Sequence, residues 1–463
     1  MKERTYLKWY NKVGYGSGDV AGNVVYALLS SFVMIYLTDT VGLNAGIVGT
    51  LMMFSKLFDG VTDIFFGSMI DKTHTRMGKA RPWMFWGYFG CAATLIGIFA
   101  IPASLGEGAK YAWFFIAYTL LNAVFYTANN IAYSALTALI TKNGGERVQM
   151  GSIRFMFAFG TSLLIQTVTV DFVKSLGGGA AGWRTVAIIY AVIGLVVNSL
   201  STLSVRELSP KELAEGTDGP GEGGTADSKK EKYSLGDAAR LLAANKFYII
   251  ICCVYILTQI YTATLNMGIY FMTYILGNAS LLGVFSMAIN IPMILGLVMT
   301  PILVKKMNGM YTINLTGYLL ATIARGLVVA GGYLGNIPMM LVFSGIAAIG
   351  MSPLQGDLNA LIASCSEYTF LTKGKRIDGT MYSCTSLGVK IGGGIGTALA
   401  GWMLAASGYV ANMPTQADSC INMLYFMYLW IPMLINLLIA FLLSKLKVEQ
   451  ANAAIEAKRQ AVL

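Results

Sequence analysis

Apolar stretches of about 20 residues recur along this chain between short polar breaks, each long enough to cross a hydrocarbon core of roughly 30 Å as a helix. They predict spans near residues 15–39, 44–70, 82–101, 111–141, 151–173, 184–205, 247–276, 280–304, 311–334, 337–363, 378–406 and 421–444. The expected fold is therefore an all-α membrane protein with twelve transmembrane helices. Only 12% of the 463 residues are charged and 56% are hydrophobic, too little polar surface for a chain that must stay in water. A soluble enzyme is thereby disfavoured.

The longest polar interruption, 206–246, follows the sixth span and is rich in Gly, Glu, Lys and Ser. It divides the chain into an N-terminal six-helix bundle (1–205), a linker (206–246), a C-terminal six-helix bundle (247–446) and a tail (447–463). Inside the linker, Ser234 and Asp237 have capping-box spacing ahead of Leu235, Ala238, Leu241 and Leu242, which predicts a short amphipathic helix. With the N-terminus inside, 26 of the 33 Lys and Arg residues fall on the cytoplasmic side, against Lys110, Lys174 and Arg184 on the other. Both termini and the linker are thus expected in the cytoplasm. The net charge of +10 then follows from topology and anionic lipid, and no nucleic-acid partner is needed. No small-residue cleavage site bounds the first apolar block, which is read as a retained helix. Cys91, Cys252, Cys253, Cys365 and Cys384 lie in or beside apolar blocks without metal-ligand spacing, and Cys420 is expected in a loop.

Ionisable residues within a span cost about 3 kcal/mol or more unless they face a partner or a wet cavity, so each is a candidate functional group. Lys56, Asp59 and Asp63 stand at i, i+3 and i+7 and share one face of the second span. Two carboxylates one turn apart can hold a small cation between oxygens. The lesser alternative is a structural network in which Asp59 or Asp63 neutralises Arg154 or Lys390 from other spans. In the fourth span Asn122, Tyr126, Asn130 and Tyr133 form a polar aromatic stripe, and Asp19, Asn23 and Tyr26 do so in the first. Convergent amides and hydroxyls beside aromatic rings suit a hydroxyl-rich solute. Tyr382, Ser386 and Lys390 share a face ahead of the glycines at 392–394 and 396. Gln259, Tyr261, Thr262, Thr264 and Asn266 make the seventh span polar, and Pro353 and Asp357 interrupt the tenth, as a cavity wall would require. His74, the only histidine, is expected to be a solvated loop residue.

Several segments carry a family resemblance: Gly14 to Asp19 (GYGSGD), Tyr36 to Leu43 (YLTDTVGL), Phe58 to Asp63 (FDGVTD), Arg76 to Trp83 (RMGKARPW) and Lys375 to Ser383 (KRIDGTMYS). In this order they resemble the glycoside-pentoside-hexuronide:cation symporters, melibiose permease-like members of the major facilitator superfamily. The resemblance implies the major facilitator fold, in which two bundles rock about a midplane site, and a bacterial inner-membrane location. It places cation binding on Asp59, Asp63, Thr62 and Thr127, with Na+ or H+ as coupling ion and no resident metal or cofactor. Together with the stripes, it assigns solute contacts to Asn23, Tyr26, Tyr126, Asn130, Tyr133, Arg154, Gln355 and Lys390, and gating to Asp19, Arg76, Arg81, Glu367 and Arg376.

The chain departs from the family pattern at six positions. Two sugar-binding aspartates are replaced by Asn23 and Asn130, site tryptophans by Ser134 and Gln355, and a proline by Ala132, while an acidic pair after the tenth span is reduced to Glu367 with Ser364. Cation-coupled symport of a sugar or glycoside is the function implied, with a hexuronide or other anionic sugar favoured by Arg154 and Lys390. A channel would want repeated pore rings, and a membrane-embedded enzyme a nucleophile or metal cluster; the sequence offers neither.

Overall fold

Membrane helices must satisfy their own backbone groups, and this computed structural model is helical almost throughout. It describes residues 5–141, 143–209, 235–307, 309–374 and 378–460. Ser234 and Arg376 lie outside the described residues. The first elements are α1 (Trp9–Gly16), α2 (Gly18–Ile35), α3 (Ala45–Lys72), α4 (Arg81–Phe99), α5 (Glu107–Thr119), α6 (Thr127–Ile140), α7 (Gly144–Ser175) and α8 (Gly179–Leu203). After the linker come α9 (Leu235–Ala244), α10 (Lys246–Asn266), α11 (Gly268–Tyr274), α12 (Leu281–Lys306) and α13 (Met310–Tyr333). The chain continues through α14 (Ile337–Lys373), α15 (Asp378–Ala406), α16 (Asp418–Tyr425), α17 (Ile431–Lys445) and α18 (Val448–Gln460). Wider π turns at Tyr36–Thr40, Leu120–Tyr126 and Phe426–Trp430 extend α2 and join α5 to α6 and α16 to α17.

Among the described residues, eleven helices are long and apolar enough to cross a membrane. The predicted second span, α3, is not among them. At 28 residues it has the length, but Lys56, Asp59 and Asp63 dilute its apolar character. The charges that make α3 a candidate functional helix are thus the ones that make it less apolar than the other spans.

Asparagine side chains start four helices by accepting the N–H groups that a first turn leaves without partners. Asn44, Asn143, Asn245 and Asn336 do this for α3, α7, α10 and α14. Several helices run past their predicted ends for a related reason. Thus α7 begins at Gly144 rather than near 151, because Glu146 anchors the N-terminal segment. Its carboxylate accepts the N–H groups of Tyr6 and Leu7 (3.2 and 3.0 Å) and the Thr141 hydroxyl (2.6 Å), with Lys12 Nζ at 3.4 Å. Burial opposes ionisation there, but these donors outweigh it and hold the carboxyl below its ordinary range.

The chain forms two compact units, one of Met1–Gly223 with Asn278–Gly283 and Gly401–Gln416, the other of Gly224–Gly277, Val284–Ala400 and Ala417–Leu463. In the first, α2 packs on α7 and α8, and α4 on α8. Gly194 lets the Tyr88 ring lie against α8, where its hydroxyl donates to Ala21 O (2.9 Å). The buried amides of Asn129 and Asn198 both donate to Met84 O, pinning α6 and α8 to α4.

In the second unit, α13 and α14 touch backbone to backbone. A Cβ on Gly317 would stand 2.2 Å from Gly350 O, and one on Gly350 2.4 Å from Gly317 O. Gly317→Ala is therefore expected to cost about 1–3 kcal/mol, as overpacking does, read as a lowered thermal midpoint in detergent. An unchanged midpoint would mean that these helices can part freely. The tail is a helix: in α18, Glu449 accepts the Tyr311 N–H (3.0 Å), Asn452 donates to Ser364 O (2.9 Å) and Arg459 to Leu371 O (2.8 Å). Cys420, expected in a loop, is buried in α16, because that helix begins at Asp418.

Candidate functional site

The polar groups of the first unit gather in two clusters. The first is built around α3. Thr127 stands where the π segment passes into α6, and its hydroxyl both donates to the Asp59 carboxylate and lies 2.8 Å from Asn122 O. A π turn is a common functional distortion, since the extra residue rotates the side chains that follow it. Here it carries Asn122 and Tyr126 as well, while Gly22 of α2 leaves room beside the Tyr126 hydroxyl, 3.6 Å from where a Cβ would be. The Thr62 hydroxyl donates back to Asp59 O (3.1 Å), and Asp63 follows one turn along the same face. Carboxylate and hydroxyl oxygens are hard donors that suit Na+ or a carried proton.

Arg154 organises the second cluster. Its Nε donates to Asp19 Oδ2 at 2.6 Å, and the guanidinium lies 4.0 Å from the centre of the Tyr133 ring. The Tyr133 hydroxyl reaches Asp19 Oδ2 (3.1 Å) and Tyr15 O (2.8 Å). Tyr15 in turn donates to Tyr133 O (2.7 Å), shares a hydrogen bond with Thr137, and is approached by Arg154 Nη1 at 3.4 Å. A cation inside a span is thereby matched by a carboxylate and two aromatic faces. The carboxylate that pairs with Arg154 in the structure is Asp19.

Other predicted solute contacts of this unit differ in access. Tyr26 is 53% exposed and Asn130 is exposed, whereas Asn23 donates to Asp19 O (2.9 Å) and accepts from the Ser162 hydroxyl (3.2 Å). Tyr133, expected to touch solute, is only 3% exposed, so in this structure it supports Arg154 instead. Among the gating candidates, Arg76 is exposed at the tip of a tight turn closed by Thr75 and Gly78. Arg81 donates to Thr202 O (2.9 Å) and Met77 O (3.4 Å). His74 is exposed and its Nδ1 lies 2.9 Å from Lys72 O.

In the second unit Gln355 is exposed, and Asp357, Glu367 and Lys390 are half-buried, with Asn314 reaching Asp357 at 3.5 Å. The polar seventh span turns much of its polarity inward: Thr258, Thr262 and Thr264 donate to their own helix backbone, and Tyr261 receives Arg325. Threonine back-bonding satisfies a hydroxyl without a cavity.

Sequence reasoning missed Tyr15, Ser162 and Glu207. Glu207 accepts the N–H groups of Lys79, Ala80 and Arg81 (2.7, 2.9 and 2.9 Å), fixing the RMGKARPW loop at the start of α4. Tyr15 lies four residues before Asp19 in the GYGSGD segment, a signal that its lack of charge concealed.

Comparison with known proteins identifies the family. A family model described as MFS/sugar transport protein matches residues 14–450. The isoprimeverose transporter of Lactiplantibacillus pentosus is 29% identical over 93% of this chain and 86% of its own length. The glucuronide carrier protein homolog of Escherichia coli is 27% identical (88% and 85%), and a putative glycoside/cation symporter of the same species 25% (97% and 94%). A solved D-xylose-proton symporter shares the fold, with a TM-score of 0.62 at 16% identity over 95% of this chain and 97% of that one. The chain therefore belongs to the MFS/sugar transport proteins, the glycoside-pentoside-hexuronide:cation symporter family of the major facilitator superfamily, and is a membrane transporter rather than an enzyme.

Proposed function

We propose that this chain carries a sugar or glycoside across the bacterial inner membrane together with Na+ or H+, by alternating access, with both termini in the cytoplasm. The observation that carries the coupling is Asp59, a carboxylate inside a span, bonded to the Thr127 hydroxyl and one turn from Asp63 on the same face. A bound cation offsets the cost of keeping such charge in a low-dielectric setting. If cation and solute both favour the same conformation, each raises the affinity of the other equally. Asn23, Tyr26, Tyr126 and Asn130 offer amide and hydroxyl groups for the sugar in the first unit; in the second, Gln355 offers an amide and Lys390 an ammonium group.

A neutral solute suits the site better than a hexuronide. Of the two cations that point to an anionic sugar, Arg154 and Lys390, the first has its charge matched by Asp19. In proteoliposomes, an imposed Na+ or H+ gradient should drive accumulation of labelled xylosides and other neutral glycosides, with exchange of unlabelled for labelled solute and no chemical change. Uptake that never exceeds equilibrium under either gradient would reject coupling. Competition confined to hexuronides would reject the neutral solute.

A further inference from the structure

Between α3, α4 and α6 the first unit opens an apolar crevice of about 440 Å³ that the transport reading does not use. Phe66, Trp83, Trp86, Val124 and Phe125 form its walls, and Thr73 and Thr75 close one end. Trp86 is 65% exposed, as are much of Phe65 and Phe89 on the adjoining surface, so this flank is of the kind a bilayer covers. The closed end is built rather than loose. Trp83 Nε1 donates to the Thr73 hydroxyl (2.8 Å), Thr73 donates to Met69 O (2.8 Å), and Thr75 and Gly78 pair across the turn.

Charge identifies the occupant. Residues 71–81 hold four cations, Lys72, Arg76, Lys79 and Arg81, against the carboxylate of Asp71 and that of Glu207, which docks on the Lys79–Arg81 end and leaves Lys72 and Arg76 in excess. Lys79 and Arg81 are half-buried, and Lys72 and Arg76 stand exposed at the end where the hydroxyls lie. An apolar slot on the scale of one acyl chain, capped by hydroxyls and exposed cations, matches a lipid with a negative headgroup. We infer that the crevice is a binding site for an anionic glycerophospholipid, with one acyl chain between Trp86 and Phe125 and the phosphate at Lys72 and Arg76.

The same helices carry Asp59 and Thr127, and the π segment contributes Val124 and Phe125 to the crevice wall and Asn122 and Tyr126 to the polar stripe. The inference concerns lipid binding alone and stands whether or not the chain couples to a cation. To test it, delipidated protein in detergent is titrated with phosphatidylglycerol or phosphatidylethanolamine carrying the same brominated chains, and tryptophan fluorescence is followed. Bromine should quench a component that Trp86→Phe removes, and phosphatidylglycerol should half-saturate at a concentration about tenfold lower.

Gly87→Leu extends a side chain at a crevice-lining position where an added Cβ meets nothing closer than 3.7 Å, and it should abolish that quenching. Lys72→Gln with Arg76→Gln, both at exposed positions, should erase the preference between lipids and leave quenching by either. Equal half-saturation by the two lipids in the unaltered protein, quenching that survives Gly87→Leu, or a preference that survives loss of both cations would each overturn the assignment.

Discussion

Asp59→Asn is expected to abolish cation-driven accumulation of solute in proteoliposomes while leaving an inserted protein with a near-normal melting temperature. The amide keeps the size of the carboxylate and one oxygen to accept from Thr127, so packing between α3 and α6 should survive. What it removes is the negative charge that a cation or proton requires. Thr127→Val tests the same geometry more gently. Losing one hydrogen bond to a charged group costs about 1.5–3 kcal/mol, which corresponds to roughly tenfold to hundredfold weaker cation affinity if Thr127 orients Asp59. Full concentrative uptake by Asp59→Asn would remove this carboxylate from the coupling site. An unchanged cation dependence in Thr127→Val would remove the hydroxyl.

The second large effect should fall on stability. Asp19→Asn or Arg154→Gln alone leaves a partly buried charge opposite a neutral group, at an expected cost of about 3 kcal/mol. The double variant should regain much of that loss, since neither charge is then stranded, and the cycle gives their coupling directly. Melting temperatures of the four proteins decide the matter. Additive losses would show that the two side chains act independently despite their 2.6 Å contact.

Much of the architecture was legible before any coordinates. Apolar blocks of membrane length forecast the helices, because a span must be both long and apolar, and the five family segments forecast the fold and the class of transport. Helix ends were less legible. Where an asparagine caps a helix or a docked segment anchors it, the helix outruns its apolar stretch, as at Asn143 and Glu146.

The candidate site divides in the same way. Spacing alone put Lys56, Asp59 and Asp63 on one face, since a 3.6-residue period fixes the faces of a helix. That period cannot name the partner across a helix interface. Arg154 was visible as a charge inside a span, but its pairing with Asp19, 135 residues away, depends on how α2 and α7 pack. Tyr133 looked like one more ring in a polar stripe; only its burial among Tyr15, Asp19 and Arg154 makes it a support for the ion pair. Local sequence therefore determined which residues could not sit in lipid without a reason. Tertiary structure decided what the reason was for Arg154 and Asp19, because desolvation is a local cost while the group that offsets it comes from another part of the chain.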